Sequence, residues 1–293
     1  MHENTTHRRI GLTQIHIAVL LAGGAGLFAK LVPVSPMVLT SGRTIFGSLA
    51  LLGFAILTKA SLRVRNRKDL FVLLASGMIL AAHWFTFFLS IQVSSVAIGL
   101  LAFSTFPLFT TFLEPLVLGE RLRRQDVVTA IVVTVGLGLV TPSFDFGNQL
   151  TQGLLWGILS AFCYAVLSLL SRSTSSSYPA ATIAFYQQGF AALCSLPFAL
   201  QWEGALAAKD VLNLALLGVV FTALLQGLVV ASLRHLRAQT TSVVFGLEPV
   251  YGILLAWIVI GEVPALRTVA GGVLICGAVL WASFSHGKAA AHG

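Results

Sequence analysis

A carboxylate, a guanidinium and an imidazole stand inside apolar runs of this sequence: Glu248 directly before Pro249, Arg43 seven residues after Pro36, and His83 within LAAHWFTFF. An ionised side chain at the centre of a hydrocarbon layer costs about 2.5–3.5 kcal/mol on insertion scales, so each needs a partner or water. Glu248 has three readings: a protonated side chain bridging backbone at the proline, a site for a substrate amine or a proton, or half of a gate pair with Arg43. Arg43 falls ~10 Å below the outer surface, at about 1.5 Å per residue. It either snorkels to headgroups or takes an acidic or carbonyl partner. His83 titrates with a proton gradient, binds substrate, or hydrogen-bonds inside a bundle.

Other polar residues recur at helical spacing. Trp156, Ser160, Tyr164 and Ser168 follow one another every four residues, as do Gly218, Thr222 and Gln226. His83 and Phe87 are one turn apart, with Trp84 and Phe88 beside them. Side chains at i and i+4 share a helix face, and such faces turn to protein or water, because lipid offers polar groups nothing. Two readings stand: hydrogen bonding between helices, or a cavity for a solute that is part polar and part aromatic. Phe103 and Tyr251, close to Pro107 and Pro249, complete the candidate substrate-binding set.

Those prolines mark an internal repeat. Pro107 and Pro249 each stand twelve residues before a Gly-Glu pair, Gly119-Glu120 and Gly261-Glu262, and 142 residues separate the two copies. The same offset aligns Ser90 with Ser232, Phe103 with Phe245 and Val127 with Val269, and sets Phe106 opposite Glu248. A proline inside a helix removes a donor and frees the carbonyl four residues earlier, here on Phe103 and Phe245. Interrupted helices at corresponding places in two halves of a membrane protein point to a transporter's binding site.

The surrounding elements must then be membrane helices. The chain is 57% hydrophobic and 10% charged, with mean hydropathy +0.91, against about 25% charged for soluble domains. Apolar segments expected to span lie near 13–31, 36–58, 69–91, 94–118, 125–142, 150–171, 178–201, 210–233, 237–260 and 266–284. The positive-then-apolar stretch near the start is expected to be the first of these helices and to be retained. With the first segment cytoplasmic, fourteen of the 18 Lys and Arg fall inside: Arg8, Arg9, five in 59–68, Arg121, Arg123, Arg124, Arg172, Arg234, Arg237 and Lys288. That asymmetry places both termini in the cytoplasm. Membrane potential and anionic lipid account for the basic residues, so no nucleic-acid partner is expected. Five spans per half make the halves inverted, with domains 1–147 and 148–293. The expected fold is all-α, ten transmembrane helices as two inverted five-helix repeats.

Two such repeats, each with a proline in its fourth span and a Gly-Glu turn before its fifth, resemble the EamA family. This family of the drug/metabolite transporter superfamily includes YddG-type exporters of aromatic amino acids and viologens. The resemblance covers residues 12–285. It implies a substrate cavity between the repeats, lined by their first, third and fourth spans. It also implies an amino-acid-like substrate, aromatic or cationic, with export, in a bacterial inner membrane. A secondary transporter working by alternating access is therefore expected, with protons as a candidate coupling ion and either a monomer or a homodimer as the assembly.

Other classes fit less well. No GxxxxGK[ST], HExxH or GxSxG signature is present, against a primary pump or an intramembrane enzyme. A passive channel or facilitator remains the alternative, although nothing resembles a filter or a ring of charges. No cofactor or metal is expected; Cys163, Cys194 and Cys276 read as small packing residues. Glu114 is expected to pair with Arg121 or Arg124. Glu120 and Glu262 are expected to accept backbone N–H groups at the start of the following span, with a gate salt bridge as their alternative. Gly23, Gly24, Gly26, Gly153, Gly157, Gly271, Gly272 and Gly277 are expected to let helices approach closely.

Overall fold

The computed structural model describes residues 2–118, 124–140, 145, 147–236 and 238–290, and every regular element among them is a helix. In order these are α1 (His2–Ala25), α2 (Phe28–Leu31), α3 (Pro36–Thr58), α4 (Arg67–Val93), α5 (Val96–Phe103), α6 (Phe106–Leu118), α7 (Arg124–Val140), α8 (Gln149–Ser175), α9 (Ala180–Ala199) and α10 (Ala208–Gly218). A π-helical turn, Val219–Leu224, joins α10 to α11 (Leu225–Ser232). Then come α12 (Ala238–Phe245), α13 (Glu248–Ile260) and α14 (Leu266–Ala290).

Local chemistry sets many of these boundaries. Ser35, Asn66, Ser95 and Asn148 cap α3, α4, α5 and α8 by accepting a backbone N–H that the first turn leaves unpaired. Gly261 ends α13 at φ 69°, a left-handed conformation that glycine takes without the clash of a Cβ. The N–H groups of Gly261 and Glu262 then close on the carbonyls of Trp257 and Ala256, which is a Schellman-type stop.

The internal repeat is kept in the helices themselves. Adding 142 to the bounds of α5 and α6 gives those of α12 and α13, residue for residue. The prolines do not kink continuous helices, which corrects that expectation. The helices stop two residues earlier, at Ser104-Thr105 and Gly246-Leu247, and Pro107 and Pro249 stand at the second position of the next helix. The first turn has no use for that N–H, so proline is tolerated there. Two further prolines, Pro115 and Pro197, do lie inside helices. The Gly119-Glu120 turn lies outside the described residues.

Among the described residues, seven helical segments are long and apolar enough to cross a membrane: His7–Leu31, Pro36–Thr58, Arg67–Val93, Val96–Pro115, Gln149–Ser175, Ala208–Ser232 and Val243–Ile260. Val127–Val140 and Leu266–Trp281 are shorter apolar helices. The expected seventh span is helical as α9 but falls in neither group. Its polar residues are used inside the protein: Gln187 donates to Ser171 (2.8 Å), Ser195 accepts from Ser41 (2.9 Å) and Tyr186 donates to the Leu62 carbonyl (3.0 Å).

Helix α4 packs along α8, α3 along α9, α7 along α14, and α1 along α11 and α13. A methyl group at Gly23 would sit 2.6 Å from the backbone nitrogen of Gly252, so α1 and α13 meet backbone to backbone. Gly153, Gly157, Gly271 and Gly272 likewise face a neighbouring helix, whereas Gly277 meets nothing. The largest buried cluster gathers Phe28, Leu39, Phe87, Phe88, Leu100, Phe103, Ala161, Leu217 and Ala256, drawn from both halves of the chain.

Candidate functional site

At the heart of that cluster six aromatic rings meet beside the first helix interruption. His83 lies 4.4 Å from Trp84, 5.1 Å from Phe103 and 5.0 Å from Tyr164, between ring centroids. Phe106, just beyond the break, lies 5.3 Å from Phe103 and 4.9 Å from Tyr164, and Phe87 lies 5.6 Å from Phe103. These separations are those of interacting aromatic pairs.

His83 is fully buried and pinned to α8. Its Nδ1 is 2.8 Å from Ser160 Oγ and 3.1 Å from the Ser160 carbonyl, and Ser160 Oγ is 3.1 Å from the His83 carbonyl. With the proton on Nδ1, His83 donates to Ser160 and the serine hydroxyl donates back to the His83 carbonyl. Nδ1 of His83 thus makes hydrogen bonds inside the bundle, one of the three roles read for it, while Nε2 has no protein partner.

Arg43 does not snorkel, which corrects one of its two readings. It is 3% exposed. Its Nη2 donates to the Phe221 carbonyl at 3.2 Å, and its Cζ lies 3.4 Å from the centroid of the Trp84 ring. The carbonyl belongs to the π-helical turn, a local rearrangement often found at functional sites. A desolvated cation over a tryptophan face is worth about 2 kcal/mol. Arg43 Nε and Nη1 are buried without a protein partner, as are His83 Nε2 and Trp84 Nε1.

Glu248 opens α13 after the second interruption and is half-buried. It is within electrostatic reach of both Arg43 and Tyr164, yet no contact ion pair joins it to Arg43 among the described residues. The two groups interact electrostatically without a contact ion pair among the described residues. A solute carrying opposite charges, or a proton on Glu248, fits such an arrangement.

The structure therefore gathers His83, Phe87, Phe103, Ser160 and Tyr164 and sets Glu248 opposite. Thr222 lies one residue from Phe221, but its hydroxyl donates to its own helix at Leu217 (3.0 Å). Gln226 lies one turn further along, with its Oε1 buried and unpartnered. Tyr251 stands apart, its hydroxyl 2.8 Å from Nδ1 of His16. Trp156 is 36% exposed and takes no part in the ring cluster. An i+4 row drifts by roughly 40° per step on a 3.6-residue helix, so two steps set Trp156 roughly 80° around α8 from Tyr164.

Two acids found partners other than those expected. Glu114 pairs with Arg172 of α8 at 3.0 Å, and no ion pair joins it to Arg124 among the described residues; Arg121 lies outside them. Glu262 does not cap the following span. Its two carboxylate oxygens accept the N–H groups of Val96 and Ala97, each at 3.1 Å, at the start of α5 in the other half of the chain. Glu120 lies outside the described residues.

Sequence reasoning named Arg43 and Trp84 without placing them at the centre, and it missed the π-helical turn. The available signal was a lone arginine inside an apolar run, a residue type that in membranes marks function.

Comparison with known proteins agrees with this architecture. The profile of the EamA-like transporter family matches residues 9–141 and again residues 151–284. The chain is 26% identical to the uncharacterised transporter YxxF of Bacillus subtilis, over 88% of this chain and 85% of that one. It is 26% identical to the pseudopaline exporter CntI of Pseudomonas aeruginosa, over 72% and 74%. It is 25% identical to the S-adenosylmethionine uptake transporter of Rickettsia prowazekii, over 84% and 82%. A solved crystal structure superposes with a TM-score of 0.64 at 20% identity, covering 95% of this chain and 96% of that one, and so shares the fold. With two matches that together span most of its length, this chain belongs to the EamA-like transporter family.

Proposed function

We propose that this protein is a secondary transporter that moves a small, amino-acid-like organic solute, aromatic or cationic in character, out of the cell by alternating access. Its ten helical segments would cross a bacterial inner membrane as two inverted five-helix repeats, residues 1–147 and 148–293, with both termini in the cytoplasm. The observation that carries the reading is the meeting of Arg43, Trp84, His83, Phe103, Tyr164 and Glu248 beside the two helix interruptions. Charged groups of both signs and a cluster of aromatic rings come together there from both halves of the chain, as a carrier's midplane site requires. His83, Phe87, Phe103, Ser160, Tyr164 and Glu248 form the site, with Thr222, Gln226 and Tyr251 flanking it. Protons are the proposed coupling ion, with Glu248 their carrier. One chain holds every residue named, so a monomer suffices and a homodimer is not needed.

Export rests on the family resemblance and on the relative named as a pseudopaline exporter. The relative named for S-adenosylmethionine uptake supports a second reading, inward movement through the same site. Purified protein in liposomes decides both. Trans-loaded amino acids, their amides and S-adenosylmethionine should each be tested for stimulating counterflow, with and without a pH gradient. Saturable, counter-solute-stimulated flux supports a carrier; linear, unstimulated flux sinks it in favour of a channel.

A further inference from the structure

Arg43 is the least reconciled group in the protein. It is 3% exposed within α3. Trp84 covers one face of its guanidinium at 3.4 Å, and the Phe221 carbonyl takes a single N–H at 3.2 Å. Nε and both N–H groups of Nη1 have no protein partner. Buried donors without acceptors are strongly disfavoured, and a buried cation without a counter-ion more so. Glu248 supplies long-range compensation only, since no contact ion pair joins it to Arg43 among the described residues.

We propose that Arg43 is the receptor for a carboxylate carried by the transported solute, a proposal that rests on the transport reading above. A guanidinium is planar and always charged, and its forked N–H groups match the two oxygens of a carboxylate. With Trp84 against one face, an anion must approach in the guanidinium plane, where Nε and Nη1 point. A lysine would offer a point charge without that fork. The negative charge of Glu248 already balances Arg43, so it selects within the acids: a zwitterion leaves the site neutral and a monoanion adds one negative charge, whereas a phosphate dianion would add two and face an acid across a medium of low dielectric. Phe103, Phe106 and Tyr164 then receive the body of the solute.

The test uses purified full-length protein and two matched pairs, 3-phenylpropionate with 3-phenylpropionamide and L-phenylalanine with L-phenylalaninamide. Tryptophan emission follows the titration, with Trp84→Phe identifying the part that comes from the stacked ring. In wild type each acid should bind at least tenfold more tightly than its amide. In Arg43→Gln that preference should vanish, with acid and amide equally weak, and Arg43→Lys should keep part of it. Equal binding of acid and amide in wild type overturns the proposal without any variant having to fold. A preference that survives in Arg43→Gln also overturns it, as does wild type binding neither acid. The liposome assay is read separately. Counterflow of amides or other uncharged solutes without acid binding sinks the role of Arg43 alone, whereas absence of all counterflow sinks the transport reading.

Discussion

The guanidinium carbon of Arg43 lies 3.4 Å from the centre of the Trp84 ring, and this stack joins α3 to α4. A desolvated cation–π contact is worth about 2 kcal/mol. Trp84→Leu removes the ring and should lower stability by about that amount, while Trp84→Phe, which keeps a weaker ring face, should lose less. Reversible unfolding in mixed micelles reads both values. A leucine variant as stable as wild type would mean that the stack contributes nothing.

Glu248→Gln keeps shape and hydrogen-bonding capacity while removing the charge that faces Arg43 and Tyr164. The variant should express and remain monodisperse, yet lose transport or the dependence of transport on pH. Wild-type rate, affinity and pH profile would leave Glu248 as a structural residue at the start of α13.

Tyr164 and Trp156 separate the two readings of their row. Tyr164 touches His83, Phe103 and Phe106 at 4.9–5.3 Å, whereas Trp156 is 36% exposed. Tyr164→Ala should alter solute selectivity or lower transport severalfold, and Trp156→Ala should transport as wild type does. The reverse pattern in a liposome competition assay would move the site to the outer face of α8.

Much of the helical framework was readable because it is local. Apolar runs of sufficient length, capping residues such as Ser35 and Asn66, and a constant offset of 142 set most helices within a few residues, the start of α1 at His2 excepted. The site was readable only as a list of members. Arg43 meets the Phe221 carbonyl across 178 residues, and Glu262 meets Val96 across 166. No helical period carries information over such distances. The offset aligns equivalent residues in the two halves, but it does not say that a residue of one half binds the other. The i+4 rule placed Trp156 with Ser160 because it ignores the drift of the row.

Orientation is testable on single cysteines. The 59–68 segment carries five basic residues and 142–150 carries none, so the former should be cytoplasmic and the latter external. Backbone bonding at the first site survives substitution, since the N–H of Arg65 reaches the Tyr178 hydroxyl whatever its side chain. An impermeant maleimide applied to intact cells should modify Asp145→Cys and spare Arg65→Cys. The opposite pattern would invert the whole arrangement.

Glu262 suggests how one end of the site is held shut. Its carboxylate grips both leading N–H groups of α5, where the helix dipole favours negative charge. Along the same contact α5 packs on α13, while their counterparts α12 and α6 share no comparable packing among the described residues. In the inverted arrangement proposed above the two contacts are equivalent, so the α5–α13 end would be the closed one and the other the looser. In the orientation proposed above, that closed end would face outward and the site would open to the cytoplasm. Glu262→Gln leaves one good acceptor where two donors converge and removes the charge, at a cost typical of a lost helix cap, about 1 kcal/mol. That cost falls only on the closed state, so the equilibrium should shift toward opening by roughly fivefold, given that about 1.4 kcal/mol corresponds to a factor of ten. Ala97 is 2% exposed, and its backbone N–H is kept on substitution, so Ala97→Cys reports the change. Its labelling by an external maleimide should be slow beside wild-type Glu262 and several times faster beside Glu262→Gln. Equal rates would show that the carboxylate caps α5 without holding the two helices together.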